Sequence, residues 1–420
     1  MTATTRKRVI VVGGGIIGLC TAHYLRQDGA EVTVLEKGEV GSGSSSENAG
    51  LVTPSHFIPL AAPGVITQGL KWMLDPESPF YIKPRLDADL FRWVWKFRAA
   101  STDRQMRSVM PLLLQLARTS FSLYEDLARL KDCEFGFQKR GLLMVFDTER
   151  GRDHCVEEAD HAHALGLEAR VLDPRELAFL EPDIRIKASG AVFYPGDAHL
   201  SPTLFVEALT RHVLSQGVVV KTSVQALGFN TTSGRLSGVR TTDGTFEADD
   251  IVIAGGAWSP VLARTLGIRL LLQAGKGYSF TLRNPIRKPS IPLILTEARV
   301  AVTPMGESLR FAGTMELAGL NLSVNRRRVD AIAKAIPRYL PEFNAENIDR
   351  THPWSGLRPC TPDGLPYIGR FGAYRNLIAA TGHAMIGISL APVTGKLVAD
   401  IVAGRTPSID LTLLHPDRFN

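Results

Sequence analysis

The sequence is short of cysteine, of charge, and of any long apolar run. Only four cysteines occur among 420 residues, at Cys20, Cys133, Cys155 and Cys360. None forms a CxxC pair and no Cys/His group has zinc spacing, which argues against a disulfide framework and a structural metal site. That usage suits a reducing compartment. No stretch of 18 apolar residues is present, so no membrane-spanning helix is expected. Arg6-Lys7-Arg8 and the apolar residues after them imitate a secretory signal, but Gly13-Gly14-Gly15 interrupts the run. The net charge is +6. This mild excess favours an anionic substrate or an anionic membrane surface. No long Lys/Arg run or nucleic-acid motif accompanies it, which excludes nucleic acid as the expected partner.

What is present is a globular composition, 45% hydrophobic with 38 glycines. The length suits two or three domains. The first 36 residues read as strand, turn, helix and strand. Val9–Val12 is a short apolar run of the kind a buried parallel strand shows, a helical pattern runs from Ile16 to Gln27, and Val32–Leu35 is the next strand. Between the first strand and the helix stands Gly13-Gly14-Gly15-Ile16-Ile17-Gly18, a GxGxxG in its proper context. Gly13 allows the turn, Gly15 lets the backbone approach a pyrophosphate, and Gly18 lets helix and strand pack closely. The helix start offers N–H groups and positive dipole to phosphate. Glu36, ending the second strand, is placed for both ribose hydroxyls of an adenosine and disfavours a 2′-phosphate. The glycines alone leave FAD and NAD both open.

Beyond this opening the chain mixes helices with a strand-rich meander. Helices are expected at 90–100, 111–130, 174–180, 203–215, 326–335 and 387–402. Strands are expected at 142–146, 218–220, 238–241, 251–254, 278–282, 293–296, 300–303, 309–312 and 377–380. Nucleotide-type signals fall at the start, middle and end, so two interleaved domains are expected. The fold class is α/β, a Rossmann-type FAD-binding domain interleaved with an α+β substrate domain on a mixed, largely antiparallel sheet. Residues 1–85, 165–265 and 346–420 are assigned to the first, 86–164 and 266–345 to the second.

Several further segments carry a family resemblance. They are VIVVGGGIIGLCTAHYL with VTVLEK, GSGSSSENAG, LAAPG at 60–64, YPGDAHLSP at 194–202, GAWSP at 256–260, KGYSF at 276–280, WSGLRPCTPDGLPYIG at 354–369, and TGHAMIGISLAPVTGKLVADIV at 381–402. With these the chain resembles the glycine oxidase/D-amino-acid oxidase superfamily of FAD enzymes, and is most similar to the bacterial D-amino-acid dehydrogenase branch. The resemblance covers nearly the whole chain and implies FAD, bound without a covalent link, since residues 381–388 hold no cysteine.

It also implies site residues. Beside Gly13, Gly15, Ile16, Ile17, Gly18, Glu36 and Lys37, the cofactor would meet Ser44 and Ser45, then Asn48, Ala49, Gly50 and Leu51 on the way to the ring. Val224 would pair its backbone with adenine. Gly255 and Trp258 would lie beneath the cofactor, and Gly382, His383, Met385, Gly387 and Ile388 beside the flavin's pyrimidine edge. Helix N–H groups there would stabilise negative charge on the reduced ring. Arg358, in Gly356-Leu357-Arg358-Pro359, matches the carboxylate-binding arginine, whose fork holds a carboxylate bidentately. Tyr278 is a candidate to touch the substrate carboxylate or cover the cavity, with packing in the core as the alternative, and His56 to contact substrate or tune its amine, with a solvated loop position as the alternative; His383 is a further candidate. No metal is expected.

The implied reaction is hydride transfer from the substrate Cα to flavin, giving an imine that water hydrolyses, with electrons passed to a quinone or another electron-transfer partner. A D-amino acid is the implied substrate, a cyclic one such as hydroxy-D-proline included. Alternatives are an oxygen-using oxidase of glycine, sarcosine or a similar small amine, and a flavin-binding subunit without catalysis. The stretch 57–83, with Trp72, Met73, Phe80 and Tyr81, is expected to form an apolar flap. Trp93, Trp95, Lys96 and Arg98 are candidates for peripheral contact at the inner face of a membrane, in an otherwise cytoplasmic protein, with core packing the favoured alternative.

Overall fold

In a computed structural model, residues 6–65, 78, 80–83, 85–344, 348 and 350–420 are described. Nine strands frame the site: β1 (Arg8–Val12), β2 (Glu31–Leu35), β3 (Val219–Lys221), β4 (Asp250–Ile253), β5 (Gln273–Arg283), β6 (Ser308–Leu317), β7 (Trp354–Cys360), β8 (Tyr367–Arg370) and β9 (Leu377–Thr381). The helices used below are α1 (Ile16–Gln27), α2 (Ala88–Ala100), α3 (Asp103–Leu127), α4 (Arg326–Tyr339) and α5 (Gly387–Ala403).

The first sheet has the order β8-β9-β4-β1-β2-β3, parallel except for the β8–β9 pair. Its inner strands β1, β4 and β9 are nearly unbroken apolar runs because helices or other chain cover both faces. Val11, Val34, Val252 and Ile378 are fully buried, each contributing about 1.5–3 kcal/mol by removal from water. Helices α1 and α5 pack side by side against this sheet. Their close approach depends on Gly395, where a Cβ would stand 2.5 Å from the Cys20 carbonyl carbon. At the C-terminal ends of β1, β2, β4 and β9 the chain turns at Gly13, Glu36, Gly255 and Gly382, so the four signals expected to meet a nucleotide lie at one end of one sheet.

The second sheet has nine strands. It runs β7-β5-β6, then 300–305, 293–295, 142–146, 190–194 and 170–172, with Phe80–Ile82 parallel to β6. Most of its pairs are antiparallel, and α4 covers one face with Val329, Ile332 and Ile336. This pairing shifts the expected boundaries. Strands 80–82, 170–172, 190–194 and β7 fall in the ranges expected for the nucleotide-binding part, but they hydrogen-bond within the second sheet. An apolar run signals a strand without saying which of two interleaved sheets it joins.

Other local differences have plain causes. The sequence suggests a helix start at Pro111, but Thr102 caps α3 through its side chain and Pro111 lies more than two turns inside. The helix Glu149–Ala164 is largely polar, so no apolar period announces it. Strand β5 begins five residues before Tyr278, because Gly275 and Gly277 hide its first half from a propensity reading.

Candidate functional site

The phosphate turn is built from absent side chains. A Cβ on Gly13 (φ +119°) would sit 2.4 Å from the Ala254 carbonyl oxygen, and one on Gly18 1.9 Å from that of Gly13. Helix α1 starts at Gly15 with no capping side chain of its own and no acid in its first turn. Ser45 meets one orphan donor, accepting from the Ile16 N–H at 3.0 Å. The remaining N–H groups and the dipole suit a phosphate. Glu36 accepts from the Gly14 N–H at 2.7 Å and the Gly38 N–H at 2.9 Å, one on each oxygen. A carboxylate has about four acceptor sites, so capacity remains for ribose hydroxyls. Val224 donates its N–H to the Glu36 carbonyl at 2.8 Å, which brings it to the expected adenine end but commits that donor. Lys37 lies with its Nζ 3.4 Å from the Trp258 ring centroid, a cation–π contact joining the ends of β2 and β4.

The Gly/Ser-rich segment is held at several points. Ser44 Oγ donates to the Leu357 carbonyl at 2.8 Å and accepts from its N–H at 3.0 Å, stapling the loop to β7. Arg310 of β6 was not singled out from the sequence. Its guanidinium donates to the carbonyls of Ser46 (3.0 Å) and Asn48 (2.8 Å) and pairs with Glu47 at 2.8 Å. Ser279 adds a bond to the Glu47 carbonyl at 3.1 Å. The second sheet therefore fixes the path of Asn48-Ala49-Gly50. At Gly50 (φ +75°) a Cβ would meet the Leu200 carbonyl oxygen at 2.3 Å. Leu51 then pairs with His199.

At the far end, Gly382 (φ +85°) and Ala384 (φ +45°) turn the chain into α5, whose N-terminus has no side-chain cap and no acid in its first turn. Those free N–H groups and the dipole favour negative charge beside Gly387 and Ile388. Met385 is exposed and His383 is buried. The Thr394 hydroxyl gives its proton to the Leu390 carbonyl (2.8 Å), so it accepts from His383 Nε2 at 2.8 Å. His383 Nδ1 is buried without a hydrogen-bond partner. Burial pushes this imidazole down to about 3, so the ring is neutral and anchors the turn.

Arg358 projects from β7 on the face it shares with Gly275 and Gly277 of β5. A Cβ on Gly277 would lie 2.3–2.4 Å from its guanidinium atoms. The side chain is half-buried, and Nη1 donates to the Thr314 carbonyl at 2.6 Å. No carboxylate pairs with it among the described residues, and burial lowers its pKa. Thr314 holds that carbonyl in place from a bulge in β6, with φ +61° and its own hydroxyl buried and unpartnered. Neighbouring Cys360 is buried, its thiol pushed up to about 12 and so kept protonated.

Two expected contacts are corrected. Tyr278 occupies the opposite face of β5 from Arg358. It is 1% exposed, packs with the α4 core, and donates its hydroxyl to Glu316 at 2.8 Å, with Lys276 3.8 Å from the same carboxylate. It neither covers the Arg358 face nor offers it a hydroxyl. Of the expected apolar flap, residues 66–77, Trp72 and Met73 among them, lie outside the described residues; Phe57 is core, and Phe80 pairs with Met315 in the second sheet. On α2, Trp93 is buried and donates Nε1 to the Cys360 carbonyl at 2.9 Å, whereas Trp95, Lys96 and Arg98 are exposed. Among the described residues no helix is long and apolar enough to cross a membrane.

His56 lies on the segment that leaves Gly50. Thr53 N–H donates to Ser389 Oγ in the first turn of α5 at 3.2 Å, and Pro59 and Leu60 pack on Gly364 in the turn after β7. His56 is thus carried between the uncapped helix start and the turn that follows β7. Ser55 Oγ lies 3.4 Å from its Nδ1.

A phosphate turn, a ribose carboxylate, an uncapped helix at the far end of the same crevice, and a second sheet presenting a guanidinium with no carboxylate partner among the described residues define a dinucleotide-dependent oxidoreductase of the flavoprotein kind. The pattern of the family described as FAD dependent oxidoreductase (DAO) matches residues 8–401, and the chain belongs to that family. Proteins named D-amino acid dehydrogenase are similar throughout. That of Granulibacter bethesdensis is 32% identical over 96% of this chain and 97% of its own, and that of Xanthobacter autotrophicus 33% identical over 98% and 99%. The structure of glycine oxidase from Geobacillus kaustophilus superposes with a TM-score of 0.80 at 26% identity, covering 99% of this chain and 100% of that one. L-proline dehydrogenase from P. horikoshii shares the fold, with a TM-score of 0.75 at 19% identity over 99% and 98%. The protein is an FAD-dependent oxidoreductase, and the glycine floor, Glu36 and the uncapped helix starts fit that cofactor.

Proposed function

We propose that this enzyme oxidises D-amino acids at Cα, cyclic ones such as hydroxy-D-proline included, and passes the electrons to a quinone or another electron-transfer partner. The observation that carries this reading is Arg358: a half-buried guanidinium over Gly277 with one N–H committed to Thr314 and no carboxylate partner among the described residues. Desolvating a guanidinium without a counter-charge is costly, and an anionic substrate relieves that cost. The relatives named D-amino acid dehydrogenase support the substrate class.

Bound FAD supplies the two-electron acceptor for the hydride leaving Cα. The chain's own work is orientation. Arg358 pins the carboxylate and so selects which Cα face is presented. Arg310 and Ser44 fix the loop that lines the cofactor's path. The α5 N-terminus favours negative charge at the end of that path.

The test is anaerobic addition of D- and L-amino acids to the yellow holoenzyme, scored by loss of flavin absorbance. Bleaching by D-amino acids alone supports the reading, and bleaching by L-enantiomers alone overturns it. The likeness to glycine oxidase favours one other reading, an oxygen-using oxidase of glycine, sarcosine or a similar amine. Stoichiometric peroxide with slow quinone reduction would favour that reading.

A further inference from the structure

Outside the Arg358 face, one buried polar cluster has no structural partner that explains it. Asp197 is 1% exposed. Its carboxylate accepts the Ser55 N–H at 3.1 Å and a very short bond from the Ser55 hydroxyl. No ion pair compensates it among the described residues. Ser55 Oγ in turn stands 3.4 Å from His56 Nδ1. The chain Asp197–Ser55–His56 links a buried acid to the imidazole carried between α5 and the turn that follows β7.

Resting on the proposed amine oxidation, we propose that Asp197 acts through Ser55 as a positioning residue which decides the ring nitrogen on which His56 carries its proton. With Asp197 ionised, the Ser55 hydroxyl donates to the carboxylate and its oxygen accepts from His56 Nδ1–H. Nε2 is then bare, an acceptor for an N–H of the substrate ammonium. That hydrogen bond orients the nitrogen, and the Cα–H with it, for hydride departure, while the buried ring stays neutral. With Asp197 protonated, the carboxyl O–H donates to Ser55, Ser55 donates to Nδ1, and Nε2 carries the hydrogen. His56 then opposes the ammonium instead of accepting from it.

The surroundings allow this reversal. Burial pushes Asp197 up to about 7 and His56 down to about 4. The titratable groups packed around them are Tyr194, raised by burial and then by the Glu158, Cys155 and Asp197 charges, and His199, held neutral near 4 by burial and then by the Arg140 charge. The helix side presents Ser389 near Thr53 and no charge. Asp197 is thus the group in this cluster whose ionisation falls near neutral pH.

Selective ¹⁵N-histidine labelling of the holoenzyme tests the relay without turnover. The His56 signals, identified by their loss in His56→Gln, should exchange Nδ1 and Nε2 protonation between about pH 6 and 8, where a perturbed carboxyl group titrates. Asp197→Asn should hold His56 in one tautomer throughout, and Ser55→Ala should uncouple it, whereas Ser55→Thr retains the exchange. In parallel, kcat/KM for a D-amino acid should lose its rising limb over that range in Asp197→Asn and Ser55→Ala, with a fall on the order of tenfold at pH 8, less than a directly acting proton acceptor contributes. A His56 tautomer that ignores pH in the native chain, or pH profiles that superimpose across the variants, overturns the relay. Failure of every amino acid to bleach the flavin would overturn the proposed substrate class, while the tautomer titration would still decide the relay.

Discussion

Arg358 is set by the residues beneath it as much as by its own charge. Gly277 and Gly275 leave a bare strand for the guanidinium to cross, and Thr314 takes one donor while leaving the fork exposed on its other side. Arg358→Ala should raise KM by on the order of 10²-fold, the loss of a charge-assisted bidentate contact, with FAD retained; stopped-flow flavin reduction and the bound-flavin spectrum check both halves. Gly277→Ala is the sharper test. Its Cβ would fall 2.4 Å from Cζ of Arg358, so the flexible guanidinium must move while charge and fold persist. A comparable rise in KM is expected, and unchanged KM would place substrate binding elsewhere. Arg358 itself was legible because GLRP is a recognisable motif. The glycines beneath it were not, since a strand glycine declares its purpose only when the partner strand is known. Tyr278 shows the converse. Tyr278, Phe280 and Leu282 alternate on one face, so the period of two already grouped it with the core and away from Gly277. The family resemblance outweighed that alternation, and the alternation was the better guide to where the phenol lies.

Among the elements, the one the sequence concealed most is the join between the sheets. Arg310 sits in the middle of an apolar strand, and nothing in its neighbours says that it faces loop carbonyls 262 and 264 residues away in sequence. Pairing across such distances leaves no periodic trace, whereas the local βαβ opening with its glycines does. Arg310→Leu leaves the Ser46 and Asn48 carbonyls and the Glu47 carboxylate without their donor. The loss should cost about 3 kcal/mol, the low end for breaking a buried pair by removing one partner, because Glu47 itself is partly exposed. FAD affinity should fall with it, since the loop approaching the ring loses its anchor. Equilibrium dialysis of FAD and urea unfolding of the holoenzyme measure the two effects. A variant with native FAD affinity would show that Ser44 and Ser45 hold the loop unaided. Glu36→Ala should weaken FAD through the ribose contact and through the Gly14 and Gly38 N–H groups it releases, and native FAD affinity in that variant would remove the ribose contact.

At the scale of the whole molecule, burial has left several imidazoles neutral in different parts of the fold. His23, His56 and His199 are pushed down to about 4 and His383 to about 3, in each case chiefly by desolvation, with the nearby His212 lowering His23 further. In the unfolded chain these groups take up protons near pH 6.5, while the folded chain declines them until about pH 4. Over that interval the unfolded state binds more protons, so stability rises with pH and is lost as pH falls from 6.5 toward 4. Asp197 acts in the opposite sense. The unfolded chain releases its proton near pH 3.8 and the folded chain keeps it to about 7, so its contribution falls as pH rises through 7. Burial also raises the carboxyls of Glu158 and Glu181 and lowers the imidazole of His212, so five lowered imidazoles stand against three raised carboxyls and leave a net acid sensitivity between pH 4 and 6.5. The Tm of the holoenzyme with FAD in excess should therefore be lower at pH 5 than at pH 7.5, by about 5 °C or more for a chain of this size. His383→Gln should flatten the profile in part, because an amide retains a donor for Thr394 and cannot take a proton. A Tm constant from pH 5 to 7.5 would mean that these rings are charged in the fold, and His383 would then have to be hydrated or paired, contrary to its dry, neutral place behind the start of α5.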